Sequence, residues 1–441
     1  MTGAPYAGER ILVLGAGRHQ VPLIKAAKAG GAEVVTSDYL PDAPGRALAD
    51  FPVLGDTLDS EVNLAIARQY EVTAVTTIGT DQALPAVADV AEGCGLPCHL
   101  TPEGARAATN KVHMKRVLAD HGVPVAAHVV VPRHGTDDVL GALTPPLVVK
   151  PADAQGQRAT CVVTDPRALR VAVEEAQAAS REGTAVVEEF LVGPEVTANA
   201  WVSGGEVHLL GVLDRVTYNP APRLGIALRH VYPGVHAEGS YGEVGEILNR
   251  VAAAYQMREG PLYVQMIVGE DGIRVVEGSA RVGGGHEPAL FRHTHGVDLV
   301  ELTLTLCLGR PNRGLGFDIR RDRPLRHGIV NFVVAHEGEL STFSPVEGGA
   351  AGQHVTEGGW YHQPGFRQNR VVDGQGRIGW FVVTGSSRSS VVERADGVYA
   401  GLEVRDPSGA NLVYWPDPAE LSGAEPVVGS RASADERPLA R

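Results

Sequence analysis

Four cysteines in 441 residues are too few for a disulfide framework, and a reducing compartment is the expected setting. Cys94 and Cys98 are separated by three residues with His99 beside them, but no second metal pair follows. The default reading is a reduced thiol pair, not zinc. The chain has no run of about eighteen apolar residues, so a membrane-spanning helix is not expected. Its first ten residues lack the charged-then-apolar pattern of an export signal, and the expectation is a cytoplasmic protein with no membrane partner. Positive charge is also short: 39 Lys and Arg against 52 Asp and Glu give a net charge of -13. No basic patch offsets it, which argues against nucleic acid as a partner. No internal repeat is visible.

What is present is ordinary for a globular chain. Hydrophobic residues make up 44% and charged residues 21%, and the length calls for two to four modules with sizeable cores. The chain opens with Arg10 to Gly17, an apolar strand running into a glycine turn. A helix from about Gln20 to Ala29 and a second strand ending at Asp38 follow. This βαβ unit imitates the dinucleotide fingerprint, but Gln20 stands where the third glycine belongs. At this point NAD binding is open.

The densest chemistry lies between Gln265 and Glu287. Val264, Met266 and Val268 alternate with Gln265 and Ile267, Glu270-Asp271-Gly272 turns the chain, and Arg274-Val275-Val276 returns it. Glu277, Ser279 and Arg281 are two residues apart, so one strand face carries an acceptor, a hydroxyl and a guanidinium. Such a face suits magnesium and phosphate oxygens. Gly283, Gly284 and Gly285 then free backbone N–H groups for an anion. A surface hairpin with a wet polar face explains the pattern equally well.

Two lysine segments and a hinge extend the reading. Leu147 to Pro151 is a short strand carrying Lys150, followed by the small polar loop Ala152 to Arg158 with Gln155, Gly156 and Gln157. Asn110 caps a helix whose first residue is Lys111 and whose stop is Gly122. A cation in a first turn is mildly disfavoured by the helix dipole, which hints at a ligand. Each lysine alone reads more simply as a solvated charge, and Lys115, one turn on, reads as a bystander. Ala185 to Glu195, with Glu188, Glu189, Leu191 and a Gly193-Pro194 break, is a strand entering an extended linker that can meet the edge of a purine. The same glycine and proline also mark a plain turn.

In this order, with these spacings, the segments NK, VVKPADAQGQR, VVEEFLVGPEV and Q-(11 residues)-EGSARVGGG resemble the ATP-grasp superfamily over residues 10 to 310. Biotin carboxylase, phosphoribosylamine–glycine ligase and the amino-acid (dipeptide) ligases share the layout. The stretch GGGHEPAL followed by HGVDLVELTLTLCLG looks most like the amino-acid ligases. The resemblance implies that Lys111 and Lys150 contact ATP phosphates under the loop carrying Gln155, Gly156 and Gln157. It implies that Glu188, Glu189 and Leu191 form the adenine hinge and that Glu195 holds ribose. Gln265, Glu277 and Ser279 fall at the family's magnesium positions, and Arg281 falls at its catalytic arginine, acting with Lys150. Gln265 replaces a carboxylate and Ser279 an asparagine, so magnesium affinity should be lower than usual. Arg215, Arg229, His230 and the three glycines are expected to anchor a substrate carboxylate, with surface solvation an equal account of the charged ones.

The implied fold is α/β: an ATP-grasp fold with a Rossmann-like front domain at 1–110 and linker helices at 111–146. A small αβ lid at 147–190, the core sheet at 191–310, a β-rich C-terminal region at 311–415 and a flexible tail at 416–441 complete it. The implied activity is ATP- and magnesium-dependent joining of a small-molecule carboxylate to an amine, and a homodimer is compatible with it. A purine-pathway or carboxylase-type enzyme, or a nucleotide-binding regulator without turnover, remains open.

Overall fold

A computed structural model describes residues 4–133, 135, 139–310, 326–348 and 352–422. The first module is a four-stranded parallel sheet of β1 (Arg10–Leu14), β2 (Glu33–Asp38), β3 (Phe51–Leu54) and β4 (Ala74–Thr76), in the order β3-β2-β1-β4. Helices α1 (Val21–Ala29), α2 (Ser60–Gln69) and α3 (Leu84–Cys94) cover it, and two apolar clusters sandwich β1, whose Ile11 to Leu14 are fully buried. Burial on both faces explains the continuous apolar run RILVL. The glycine turn after β1 is closed internally: the Ala16 N–H donates to Asp38 Oδ2 at 2.7 Å, and Gln20 Nε2 donates to the Ile78 carbonyl. The acidic residue that imitated a ribose ligand therefore holds its own turn. This geometry gives the dinucleotide reading no support.

Helix α4 (Pro102–Ala107) and helix α5 (Lys111–Asp120) follow. Asn110 caps α5 by accepting from the N–H groups of Val112 and His113 at 3.0 and 3.3 Å, as its sequence predicts. The lid is an antiparallel sheet of β5 (His128–Val131), β6 (Leu147–Pro151), β7 (Cys161–Val163) and β8 (Ala185–Glu189), ordered β5-β8-β6-β7. The short α6 (Val139–Ala142) precedes β6, and α7 (Leu169–Ala179) packs on the sheet. The lid thus begins at residue 128. The linker expected at 111–146 gives up β5, because HVVV completes the lid's edge against β8, while Pro132 and Gly135 disguised it as loop.

The main sheet contains β9 (Glu195–Ser203), β10 (Glu206–Tyr218), β11 (Ile226–Tyr232), β12 (Gly260–Gly269) and β13 (Gly272–Ser279). Helix α8 (Tyr241–Ala254) buries Val244, Ile247, Leu248 and Val251 against it at helical spacing. Helices α9 (Glu287–His295) and α10 (Leu299–Cys307) return toward the first module. The sheet does not stop at residue 310. Strand β14 (His327–Ala335) pairs with β11, and beyond the small strands β15 (Gly338–Leu340) and β16 (Thr342–Phe343) come β17 (Val355–Trp360), β18 (Phe366–Gln368) and β19 (Arg377–Gly385). The path is β13-β12-β9-β10-β11-β14-β19-β17, so the C-terminal strands extend the core sheet. Helix α11 (Arg388–Gly401) covers them, followed by β20 (Val404–Arg405), β21 (Val413–Tyr414) and β22 (Leu421–Ser422). The expected flexible tail is docked at its start: Leu421 and Ser422 pair with Tyr218 and Thr217. Residues 311–325, 349–351 and 423–441 of the expected C-terminal region and tail lie outside the described residues. Among the described residues no helix is long and apolar enough to cross a membrane.

Candidate active site

A cleft open to solvent lies between the lid and the β12–β13 hairpin. Lys111, Lys150, Gln155, Gly156, Gln157, Glu188, Glu189, Leu191, Glu195, Gln265 and Glu277, all singled out in the sequence, line it. Val148, Ile267 and Val276 supply apolar wall. Gln265 stands directly opposite Glu277 in the β12–β13 register.

The cations in this cleft are matched to acids. Lys111 Nζ donates to the Ala154 carbonyl at 2.7 Å and lies 3.5 Å from Glu277 Oε1. Glu188 lies at 2.7 Å from Lys150 and 3.0 Å from Lys115. Burial raises the Glu188 carboxyl, but Lys150 and Lys115 outweigh it and hold it below the ordinary range. Burial brings the Lys115 ammonium down to about 8 even with Glu188 beside it. Lys115 is therefore no bystander: one helical turn beyond Lys111, on the same face, it is 2% exposed and completes a Lys–Glu–Lys cluster under the cleft.

The hinge has a specific shape. The Glu189 N–H donates to the Ala127 carbonyl and the Glu189 carboxylate accepts from the Ala127 N–H, both at 2.9 Å, so the end of β8 is tied to the residue that precedes β5. The backbone of Leu191 makes no hydrogen bond among the described residues. Gly193 has φ +145, and a Cβ there would meet the Val268 carbonyl oxygen at 2.3 Å, so the Gly-Pro break is a packing requirement as well as a turn. Glu195 pairs with Arg215 at 3.0 Å. Thr217, Asn219, Leu224, Gly225 and Ser422 also line the cleft, and the sequence reading missed them. Their signal is tertiary, because the start of the tail brings Ser422 beside Thr217.

The loop from Ala152 to Arg158 lies between two other modules. Gln155 Oε1 accepts from the Asp81 N–H and Gln155 Nε2 donates to Thr80 Oγ1, each at 2.9 Å. The Gly374 N–H donates to the Gly156 carbonyl at 3.0 Å, and Gly156 has φ +70. The lid loop is thereby tied to the front domain and to the C-terminal strands.

Arg281 and Ser279 lie beyond the cleft lining, and Asp81 organises both. Asp81 Oδ2 is 2.7 Å from Arg281, and Asp81 Oδ1 accepts from Ser279 Oγ. Strand β13 ends at Ser279, so Arg281 continues its face without belonging to it. Asp81 belongs to the IGTDQ loop at the tip of the front domain, and its carboxylate role was not read from the sequence. With its hydroxyl on Asp81, Ser279 is engaged elsewhere, and no group of three or more His, Cys, Asp or Glu among the described residues could hold a metal ion.

The expected substrate anchors divide. Arg215 and His230 stand opposite each other in the β10–β11 register and share a face. His230 is buried, lies 3.1 Å from Glu287, and burial lowers its pKa. Arg229, next along the strand, points the other way. Its guanidinium donates to Asn331 at 2.6 Å, pairs with Asp396 at 2.7 Å and lies over Trp415, so it joins α11 to the sheet and is not a substrate anchor. The glycines also differ from expectation. The Gly285 N–H already donates to Glu287 at 2.7 Å. A Cβ at Gly283 would meet Glu287 at 2.6 Å, one at Gly284 the Gly79 carbonyl at 2.9 Å, and one at Gly285 the His230 ring at 2.5 Å. Close packing explains them, and none has a left-handed φ.

Comparison with known proteins agrees with this layout. The family model of the ATP-grasp domain matches residues 143–288. A phosphoribosylamine–glycine ligase of Streptomyces coelicolor is 31% identical over 264 residues, covering 55% of this chain and 60% of the relative. Among solved structures, an L-amino acid ligase from Bacillus licheniformis matches with TM-score 0.77 at 19% identity, covering 91% of this chain and 99% of that one. A biotin carboxylase domain of the Hydrogenobacter thermophilus 2-oxoglutarate carboxylase, solved with MgADP, ADP and bicarbonate, matches with TM-score 0.71 at 17% identity over 90% of each chain. The chain carries an ATP-grasp domain and has the ATP-grasp fold.

Proposed function

We propose that this chain, built around an ATP-grasp domain, is an ADP-forming carboxylate–amine ligase that uses ATP and Mg²⁺. The observation that supports it best is the convergence of Lys111, Lys150, Gln265 and Glu277 from separate elements on one cleft. ATP would lie there with its triphosphate toward Lys111 and Lys150 beneath the Gln155–Gln157 loop. Adenine would lie against Val148 and Ile267 with its edge on the unpaired Leu191 backbone. Glu195 would accept from ribose hydroxyls while Arg215 fixes its position.

The oxygen donors present fit magnesium: Glu277 supplies a carboxylate and Gln265, opposite it, an amide oxygen, and Mg²⁺ takes its remaining ligands readily from phosphates and water. Bound there, the ion would neutralise charge on the transferring phosphoryl group. Ser279 serves Asp81 in this arrangement. Lys111 and Lys150 would hold the phosphates, and Arg281, oriented by Asp81, would offer its planar donors to the group passing from ATP to the substrate carboxylate. The amine would attack the carbonyl carbon of the acyl phosphate so formed, and cleavage of its C–O bond would release phosphate while the nitrogen gives up a proton to leave an amide. Phosphoryl transfer needs positioning and charge more than covalent help, which these side chains provide.

The test is ADP release from MgATP with mixed amino-acid pools, followed by mass spectrometry of the products. ADP formation that requires both an acid and an amine, with a new amide of matching mass, is the expected result. Nucleotide binding without amine-dependent turnover would make the chain a nucleotide-binding regulator instead.

A further inference from the structure

The arginines around the triple glycine are not equivalent. Arg281 has Asp81 at 2.7 Å and Arg215 has Glu195 at 3.0 Å. Arg18, in the first loop of the front domain, and Arg377, at the start of β19, have no carboxylate within 4.0 Å among the described residues. Both are only partly exposed, and both are held by stacking. The Arg18 guanidinium lies 4.0 Å over the Tyr361 ring, and Arg377 lies 4.1 Å over Phe332 with its Nε donating to the Gly374 carbonyl at 2.7 Å. Between them His286 stacks on Trp380 at 3.5 Å and its Nε2 meets the Tyr361 hydroxyl at 2.7 Å.

Half-burying two guanidinium groups without a directly paired acid costs free energy that stacking only partly returns. The surroundings show the resulting positive field. Burial lowers Arg377 to about 10, with Arg18 and Arg215 adding to the effect, and burial with Arg18 and Arg377 brings His19 down to about 3. Two acids act on these guanidinium groups from a distance, Asp373 on Arg18 and Glu287 on Arg377, and Glu287 is already engaged, 3.1 Å from His230 and accepting from the Gly285 N–H.

We infer that Arg18 and Arg377 bind a second oxyanion of one substrate, a phosphate monoester or a carboxylate remote from the reacting group. The planar donors of two arginines suit such an oxyanion, and Tyr361 and His286 give it an aromatic floor. The inference rests on the ligase reading, which puts the reacting end beside Arg281. It restricts the substrates to pairs in which the acid or the amine carries an additional negative group.

Inorganic phosphate and malonate are the probes, titrated calorimetrically into the full chain saturated with MgADP, so that the nucleotide cleft is already filled. Wild-type protein should bind at least one of them. Arg18→Ala and Arg377→Ala should each weaken that binding by about tenfold or more while leaving MgADP affinity unchanged. Preference for phosphate assigns a phosphate monoester, and preference for malonate a carboxylate. Arg18 lies in a loop with stacking as its main contact, so Arg18→Ala carries the result if Arg377→Ala does not fold. Absence of binding to either probe, or equal binding by wild type and Arg18→Ala, would overturn the proposal. No turnover is needed, so a chain that bound the probes as stated yet formed no amide would sink the ligase reading alone.

Discussion

In the cleft under the lid the cations have acids close by: Lys111 has Glu277, and Lys150 and Lys115 share Glu188. Around the triple glycine, Arg18 and Arg377 have no carboxylate within 4.0 Å among the described residues, and stacked rings hold them instead. The first region is balanced before ligand arrives, so its side chains are fixed by ion pairs that a triphosphate and its metal must partly exchange. In the second, two guanidinium groups lack a directly paired carboxylate, which a bound anion would supply. Preorganisation by pairing and preorganisation by stacking should therefore respond differently to substitution.

The largest effect is expected at Glu188. Glu188→Gln leaves two buried ammonium groups without their carboxylate, and the protein should lose about 3–5 kcal/mol in denaturant unfolding. Lys115→Met leaves the Lys150–Glu188 pair standing and should cost clearly less. Equal losses would mean that the three charges do not act as the cluster described.

Arg281→Lys comes next. It keeps the charge beside Asp81 but loses the planar fork, so kcat should fall about 100-fold, roughly 2.7 kcal/mol, with ATP affinity little changed. A lowered melting temperature with intact specific activity would instead mark Arg281 as structural. Lys150→Ala should weaken ATP binding about tenfold or more, near 1.4 kcal/mol, measured by titration with a non-hydrolysable analogue. Wild-type affinity in that variant would place Lys150 in the Glu188 cluster alone.

The last effect is a pH dependence at the stacked basin. His19 has a pKa of about 3 in the folded chain against an ordinary 6.5, so below pH 6.5 the unfolded chain binds a proton that the folded chain refuses. Stability should therefore fall as pH drops from 6.5 toward 3 and be insensitive to this group above 6.5. His19→Gln should flatten that slope, and parallel curves for the two proteins would remove His19 from the account.

Much of the cleft was legible because its residues lie in short local patterns. Asn110-Lys111, VVKP, the 152–158 loop and the paired Gln265 and Glu277 each reach the cleft from a single element, and their order alone suggested a shared site. Lys115 was also legible in principle, since positions 111 and 115 fall on one helical face. Strand parity would have separated Arg229 from His230, because neighbours on a strand face opposite sides. The resemblance placed the Ile78–Gln82 loop toward the ligand site but gave Asp81 no partner, and Arg18, His286, Tyr361 and Arg377 were beyond reach: separate segments bring them together, and no spacing connects them. The end of the core sheet was misplaced for the same reason, since the pairing of β14 with β11 spans about a hundred residues.

The central claim is that ATP activates a substrate carboxylate in this cleft, and oxygen transfer tests it most directly. The chain would be incubated with MgATP and a mixed amino-acid pool labelled with ¹⁸O in the carboxyl groups, and the released phosphate analysed by mass spectrometry. The account predicts phosphate carrying one ¹⁸O atom for each amide formed, because the carboxyl oxygen leaves with the phosphoryl group. Amide formation with unlabelled phosphate would contradict it.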